Sequence, residues 1–238
     1  MSVMAPIKSV TDNLVLSLDA ANIKSYIGSG TTWSDLSGNG NNGTLTNGPT
    51  FTGSFGGSIV FDGSNDYIFL GTLSGSFSSF TIITWFYPTV IANYNNVLDC
   101  NSGYYTSGNI GPRLEMNSSG RLAWAYSNIT GDGNQYYVQV LFSSGLTANT
   151  WHCAAITYNG SGNSSIIYYN GISSDASRET YGTPTGFVGL FNSLNVGRGF
   201  LDSRYFQGRI AQTQIYNRAL SASEILQNYN SNKSRFGL

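Results

Sequence analysis

The stretch from Phe206 to Leu238, FQGRIAQTQIYNRALSASEILQNYNSNKSRFGL, decides the fold of this chain. From Ile210 its residues alternate between two faces: Ile210, Gln212, Gln214 and Tyr216 on one, Ala211, Thr213, Ile215 and Asn217 on the other. A period of two is the signature of a strand, here predicted over Gly208–Tyr216, and the mixed polarity of both faces implies unlike environments on its two sides. Ser221-Ala-Ser-Glu224 then spells a capping box. The Ser221 hydroxyl is placed to accept from the amide of Glu224, and the Glu224 carboxylate to reach back to the amide of Ser221. The helix so opened is predicted over Ser221–Asn228, with Ile225, Leu226 and Tyr229 on one face. One short helix closing a β-rich chain is an uncommon arrangement, and it narrows the fold.

Upstream, the candidate strands are short, β-branched or aromatic, and bounded by Gly, Asn and Ser. They are predicted at Leu14–Asp19, Ser58–Asp62, Tyr67–Leu70, Phe80–Tyr87, Asn96–Cys100, Arg113–Met116, Arg121–Tyr126, Tyr137–Phe142, Trp151–Tyr158, Ser165–Asn170 and Ser193–Gly197. Asn117-Ser-Ser-Gly120 and Asn159-Gly-Ser-Gly-Asn163 read as hairpin connections. Ser34–Gly57 is rich in Gly and Asn and is expected to be irregular, with Trp33 closing it, whereas Trp85, Trp124 and Trp151 stand in strand patterns and are expected in the core. Many short strands at roughly ten-residue spacing, without a solenoid or propeller repeat, predict an all-β protein: two antiparallel sheets packed face to face as a jelly-roll sandwich, with one short C-terminal helix at an edge. No linker divides the chain of 238 residues, so the expected organisation is an N-terminal arm (1–13), one sandwich domain (14–230) and a C-terminal tail (231–238).

Composition excludes several function classes. Charged residues are only 10% of the chain and the net charge is -1, so the basic stripe that neutralises phosphates is missing and nucleic acid is not an expected partner. The polar surface must come from Ser, Thr, Asn, Gly and Tyr. Such a surface suits neutral ligands such as sugars, and also packing against protein, because little charge has to be desolvated. A net charge near zero gives little protection against self-association. No segment approaches membrane-spanning length, and Met1–Lys8 lacks the apolar run of a signal peptide, so neither insertion nor export by the usual route is expected. Cys100 and Cys153 read as two buried thiols; a disulfide between them is the alternative, which spacing cannot decide.

Three motifs carry a family resemblance. Gly208 to Ile225, of the form G-x-I-x-x-x-x-I-Y-N-R-A-L-S-x-x-E-I, resembles the end of laminin-G-like, concanavalin A-like lectin domains. Asp35-Leu-Ser-Gly-Asn-Gly-Asn-Asn-Gly-Thr-Leu45 and Ile59-Val-Phe-Asp-Gly-Ser-Asn-Asp-Tyr-Ile68 resemble the S-G-N-G-N and F-D-G-x-x-D-Y segments of such domains, in the same order. Trp151 and Tyr168-Tyr-Asn-Gly171 fit as well, so the resemblance covers roughly Leu14 to Tyr229. The segment Tyr216 to Leu238 further resembles structural proteins of tailed bacteriophages.

Glucanases share this fold, so catalysis is the first chemistry to weigh. Retaining glycosidases need two carboxyl groups about 5 Å apart. The glutamates are Glu115, Glu179 and Glu224, and none has a second carboxylate two or four residues away along a strand. Asp62 and Asp66 flank a turn that splays them, and His152, the one histidine, reads as structural. No enzyme activity is expected. Calcium is a candidate ligand for the oxygens of Asp19, Asp35, Asn39, Asp62 and Asp66, against the simpler reading that these residues satisfy local backbone amides in Asx turns. Where the resemblance leads one to expect an acidic pair after G-x-I, this chain has Ala211 and Gln212, which weakens the case for a metal. Sugar rings stack on aromatic faces while amides and carboxylates take their hydroxyls. Tyr104 and Tyr105 in one loop, and Asp132, Asn134, Tyr136 and Tyr137 in another, are the candidate glycan contacts; the simpler reading has these tyrosines capping the core or filling a contact between subunits.

Taken with the resemblances, these features lead to the expectation of a non-enzymatic structural protein of a tailed-phage virion, on the head, neck or tail surface and assembled in the host cytoplasm. Its expected partners are other virion proteins, further copies of itself, and glycans. A carbohydrate-binding module of a secreted cellular protein is the alternative.

Overall fold

In the computed structural model the described residues are 7–73, 77–92, 95–100, 110–117, 119–129, 135–160, 164–174, 177–181, 191, 193–199 and 204–238. The chain runs through β1 (Leu14–Asp19), β2 (Thr32–Trp33), β3 (Gly43–Thr46), β4 (Thr50–Thr52), β5 (Ser58–Asp62), β6 (Tyr67–Gly71), β7 (Phe80–Pro88), β8 (Asn96–Asp99) and β9 (Ile110–Met116). It continues through β10 (Arg121–Ile129), β11 (Gln135–Gly145), β12 (His152–Tyr158), β13 (Ile166–Tyr169), β14 (Ile172–Ser173), β15 (Ser177–Tyr181), β16 (Leu194–Val196) and β17 (Gln207–Tyr216). Helix α1 (Ala222–Asn232) and a 3₁₀ turn, Lys233–Phe236, close it.

Among the described residues these strands form two antiparallel sheets. Sheet A has the order β14-β13-β12-β7-β17-β5-β4, and β1 pairs with the second half of β17 beyond β5; sheet B has the order β15-β11-β10-β9-β8-β16-β6-β3-β2. Every second residue of each strand turns inward. Phe80, Ile82 and Phe86 of β7, and Ile59 and Phe61 of β5, meet Ile68, Leu114, Met116, Leu122 and Trp124 of sheet B in one core. This is the expected two-sheet jelly-roll sandwich with a single short helix.

A second apolar cluster lies on the outer side of sheet A. Ile83, Trp85, Trp151, Cys153, Tyr168, Ala211 and Tyr216 are buried there with Leu220, Ile225 and Phe236. The ring of Trp85 stacks on those of Phe236, at 4.3 Å and 18°, and Tyr229, at 5.5 Å and 6°. The C-terminal segment is therefore a cover. Burying a large apolar side chain contributes about 1.5–3 kcal/mol, so the aromatic rings of this cluster account for much of what holds the segment down. The capping box forms as expected, with the Ser221 side chain accepting from the Glu224 amide and the Glu224 carboxylate accepting from the Ser221 amide. The helix extends past the predicted Asn228, because Asn228 is buried against sheet A: it accepts from the amide of Val10 at 2.7 Å and donates to Tyr216 Oη at 3.0 Å.

The face assignment along β17 needs correcting. Ile210 pairs with Phe86 and Gln212 with Trp85, so Ala211 is an extra residue, a β-bulge. Ile210 and Ile215 consequently share the inner core, while Ala211 and Tyr216 both lie in the outer cluster. Strict alternation would have separated the members of each pair differently. Just before the bulge, Gly208 has φ 150°, and a Cβ there would sit 2.2 Å from the Tyr87 carbonyl oxygen. Only glycine admits so close an approach of two strands.

Ser34–Gly57, expected to be irregular, contains β3 and β4, and Leu45 is buried in the core. Its strands are too short for periodicity to show. Trp33, expected to close this stretch, is wholly buried in the inner core, and of the three tryptophans expected in the core Trp124 lies in the inner cluster while Trp85 and Trp151 lie in the outer one. β2, β14 and β15 were likewise not foreseen; the first two are only two residues long. Cys100 and Cys153 are both buried and free. Burial pushes each thiol well above its ordinary pKa.

Candidate functional site

Two surfaces of a sandwich can carry a site, and the outer face of sheet B is the richer in polar chemistry. Leu114 and Met116 point into the core, so Arg113 and Glu115 between and beside them face outward. The same alternation turns Phe69 outward between Ile68 and Leu70, and Asn195 between Leu194 and Val196. Cross-strand register then lines up Phe69, Asn195, Asp99, Arg113 and Ala125 across five strands.

An ionic network occupies the middle of this face. Glu115 Oε1 lies 3.2 Å from Arg113 Nε and Glu115 Oε2 lies 3.3 Å from Arg204 Nη1, with the carboxylate side chain only 4% exposed. Asn96 Nδ2 reaches toward Asp99 Oδ2 at 3.4 Å, and both residues are fully buried. Here the structure departs from expectation. Spacing along single strands offered Glu115 no neighbouring carboxylate, yet pairing of β8 with β9 brings Asp99 and Glu115 onto the same face of adjacent strands. Cross-strand neighbours have no sequence signal. A carboxylate gripped by two guanidinium groups is an anchor for them, unlike the paired, unencumbered carboxyl groups of a glycosidase.

At the β6 and β16 end the face becomes aromatic. The Arg198 guanidinium lies 4.8 Å from the centre of the Tyr67 ring and 5.9 Å from that of Tyr205. Phe69 keeps 46% of its surface in solvent. None of Tyr67, Phe69, Arg198 and Tyr205 was picked out from sequence. An outward aromatic on a strand two residues from another was the available signal.

The residues expected to contact glycan are described only in part. Tyr104, Tyr105, Asp132 and Asn134 lie outside the described residues. Tyr136 and Tyr137 stand near the start of β11, in register with Asn128 and Ser127 of β10.

The five candidate calcium ligands are each engaged locally. Asp35 Oδ1 accepts from the amides of Ser17 and Ser37, and Oδ2 from Ser37 Oγ and the amide of Asn41. Asn39 donates through Nδ2 to the carbonyls of Leu14 and Val15. Asp19 receives Arg235 Nη1 at 2.7 Å and the amide of Ala21 at 3.0 Å. Asp62 Oδ1 accepts from the amide of Ser64, which holds its carboxyl below the usual carboxylate range. Asp66 Oδ2 accepts from the amide of Asp62 across the turn, and burial raises its carboxyl. A hard cation needs six to eight oxygens free to face it, whereas both Asp35 oxygens, Asp19 Oδ1, Asp62 Oδ1 and Asp66 Oδ2 face N–H or O–H donors. Among the described residues no three His, Cys, Asp or Glu side chains converge as a metal group.

Comparison with known proteins agrees with this architecture. The binding domain of Paraclostridial mosquitocidal protein 1 superposes with a TM-score of 0.62 at 22% identity, over 93% of this chain and 52% of that one. The chain thus spans about half the length of that domain. Domain 4 of AbnA, a GH43 extracellular arabinanase from Geobacillus stearothermophilus solved with arabinotriose, superposes with a TM-score of 0.61 at 19% identity, over 91% of this chain and 98% of that one. A sialidase from Trypanosoma rangeli gives a TM-score of 0.66 at 13% identity, over 98% of this chain but 37% of that one. No curated protein matches the chain. The Laminin_G_3 family, described as the concanavalin A-like lectin/glucanases superfamily, matches residues 62–226. With that span, a lectin-like sandwich and the three motifs in order, the chain belongs to the concanavalin A-like lectin/glucanase superfamily.

Proposed function

We propose that this chain is a non-enzymatic, lectin-like recognition module of a tailed-bacteriophage virion, presenting the outer face of sheet B to glycans. The observation that carries the binding role is the pairing of Glu115 with Arg113 and Arg204 beside an aromatic border of Tyr67, Phe69 and Tyr205. Fixed polar groups next to aromatic rings can hold a sugar by stacking and hydrogen bonds. The same ion pairs occupy the carboxylate that hydrolysis would need free.

The virion assignment draws support from the uncharged polar composition and from the phage-like closing segment. That segment is folded onto sheet A, away from sheet B, together with the arm: Gln227 Nε2 donates to the Lys8 carbonyl at 2.8 Å, and Ser9 Oγ lies 2.8 Å from Ser231 Oγ. A module tethered or packed through that side would present sheet B outward.

Two measurements test the proposal. A glycan array, run with and without calcium, is expected to show binders that are lost in Tyr67→Ala and Phe69→Ala; an array with no binder removes the recognition role. Mass spectrometry and immunogold labelling of purified phage particles are expected to find the chain on the surface. Its absence from particles, with recovery from a culture medium instead, would favour a secreted carbohydrate-binding module. A reducing-sugar assay on β-glucans is expected to give no product for the wild type, and a product abolished by Glu115→Gln would overturn the non-enzymatic assignment.

A further inference from the structure

The S-G-N-G-N motif has no part in the recognition role of sheet B, and its place in the fold gives it a different task. One side of β17 is shared by two strands: β5 pairs with Gln207–Ile210 and β1 with Gln212–Tyr216. Beyond β5 the sheet continues into β4, whereas beyond β1 no strand follows among the described residues. β1 therefore has a free edge, and the N–H and C=O groups along such an edge are a template on which another strand can pair.

That edge is closed largely by side chains. The Ser17 amide donates to Asp35 Oδ1 at 2.9 Å, and the Leu36 amide donates to the Ser17 carbonyl at 2.8 Å. The Asp19 amide donates to Ser25 Oγ at 3.2 Å. The Val15 carbonyl receives three donors: Ser37 Oγ at 2.8 Å, Asn41 Nδ2 at 2.9 Å and Asn39 Nδ2 at 3.2 Å. Asn39 Nδ2 also reaches the Leu14 carbonyl at 3.1 Å. Asp35, Ser37, Asn39 and Asn41 are spaced two apart, so the loop meets β1 as one face of a strand would, with side-chain heads in place of a backbone. Gly38 and Gly40 between them have φ 90° and 75°, and a Cβ on either would meet nothing within 4 Å. The glycines serve the backbone path, which other residues rarely adopt, and not a shortage of space.

We infer that Asp35–Asn41 is a plug that keeps a second copy of this chain from pairing, β1 against β1, at the free edge of sheet A. One donor is enough to keep a carbonyl from standing unpaired; three around Val15 leave no approach for the amide of an incoming strand. The strand so guarded is a good template. β1 reads Leu-Val-Leu-Ser-Leu-Asp, with a single charge, and the whole chain carries a net charge of -1. Neither charge along the strand nor repulsion between molecules protects this edge, so the plug has to. The inference is independent of the proposed function, which concerns the outer face of the other sheet.

Paired variants of the full chain test it. Asn39→Ala with Asn41→Ala removes two of the donors without adding charge. Size-exclusion chromatography with light scattering is expected to find this variant at twice the monomer mass or more, reversibly on dilution, at concentrations where the wild type stays a monomer. Hydrogen–deuterium exchange should show the Leu14–Asp19 peptide better protected in the associated state than in the dilute one. Asn39→Lys with Asn41→Lys removes the same donors but sets two cations on the edge, and it is expected to associate no more than the wild type. Ser64→Lys and Ser119→Lys, added to the double-alanine variant, give the same net charge away from β1 and should leave its association intact. Equal association of the lysine and alanine plug variants, or association without added protection of Leu14–Asp19, would reveal general loss of structure and overturn the plug. So would a double-alanine variant that is folded by circular dichroism and monomeric throughout. Should that variant not fold, Asn41→Ala alone decides: association with protection at Leu14–Asp19 upholds the plug, and a folded monomer overturns it. Glycan binding by sheet B is read separately on the array, so either idea can fail without the other.

Discussion

Arg218 holds both carboxylate oxygens of Glu224, with Nη2 2.6 Å from Oε1 and Nη1 3.0 Å from Oε2, while Oε2 also accepts from the Ser221 amide at 2.8 Å. The capping residue of α1 is thus welded to the end of β17. Arg218 Nε adds an ion pair to Asp12 of the arm at 3.2 Å, so arm, last strand and helix meet at one guanidinium.

Chiefly through its hydrogen bonds to Arg218, Glu224 has its pKa lowered from 4.5 to about 2. A lowered carboxylate pKa favours the folded state above the ordinary value, and that contribution fades as pH falls toward the folded value. Urea unfolding is expected to show wild-type stability dropping between about pH 4.5 and about pH 2, with a shallower decline in Glu224→Gln. At neutral pH Glu224→Gln keeps a residue able to close the capping box but loses the ion pair with Arg218, and should cost about 1 kcal/mol or less.

His152 gives a second, separable pH dependence. It lies buried with Nδ1 2.7 Å from Tyr169 Oη and Nε2 2.9 Å from the Thr147 carbonyl. A carbonyl only accepts, so Nε2 carries the proton and Nδ1 accepts from the tyrosine. Burial lowers its pKa below 6.5, which means the unfolded chain binds a proton first. Stability is expected to be full above 6.5 and to fall as pH drops through the folded value, then level off. Denaturation curves from about pH 7.5 to about pH 5 should show this slope in the wild type and not in His152→Gln.

The bulge at Ala211 makes a register prediction. With Ala211 removed, Ile210 still faces inward and Gln212 outward, so alternation along β17 survives. Deleting Ala211 should therefore give a folded protein with reduced Tm. Deleting Thr213 instead moves every following side chain to the wrong face. Circular dichroism and size-exclusion chromatography are expected to show that variant unfolded or aggregated.

Phe236 is the keystone of the cover over sheet A, stacked on Trp85 at 4.3 Å and tilted at 47° against Trp151 at 4.6 Å. Phe236→Ala should destabilise by about 3–5 kcal/mol and red-shift tryptophan fluorescence as water reaches the two indoles. An unchanged spectrum would mean that the 3₁₀ turn does not seal this face.

Most of the fold was legible because local chemistry encodes it. The β1 and β5 boundaries coincide with their predicted ends, and the Ser221–Glu224 cap is written in four consecutive residues. Ser34–Gly57 was misjudged because β3 and β4 are too short to reveal a period. The site was far less legible. Glu115 looked isolated along the chain but sits across from β8.

The sequence by itself determined the period of each strand, the helix cap and the excess of apolar residues needed for two sheets, since these depend on neighbours within a few positions. Only the tertiary structure decided which strands lie side by side, where β17 gains its extra residue, and which aromatic and charged groups meet on each face. Alternation tells a side chain which way to point but not what stands across from it; that depends on pairings between segments as distant as Asp19 and Gln212, fixed when the sandwich closes on its core.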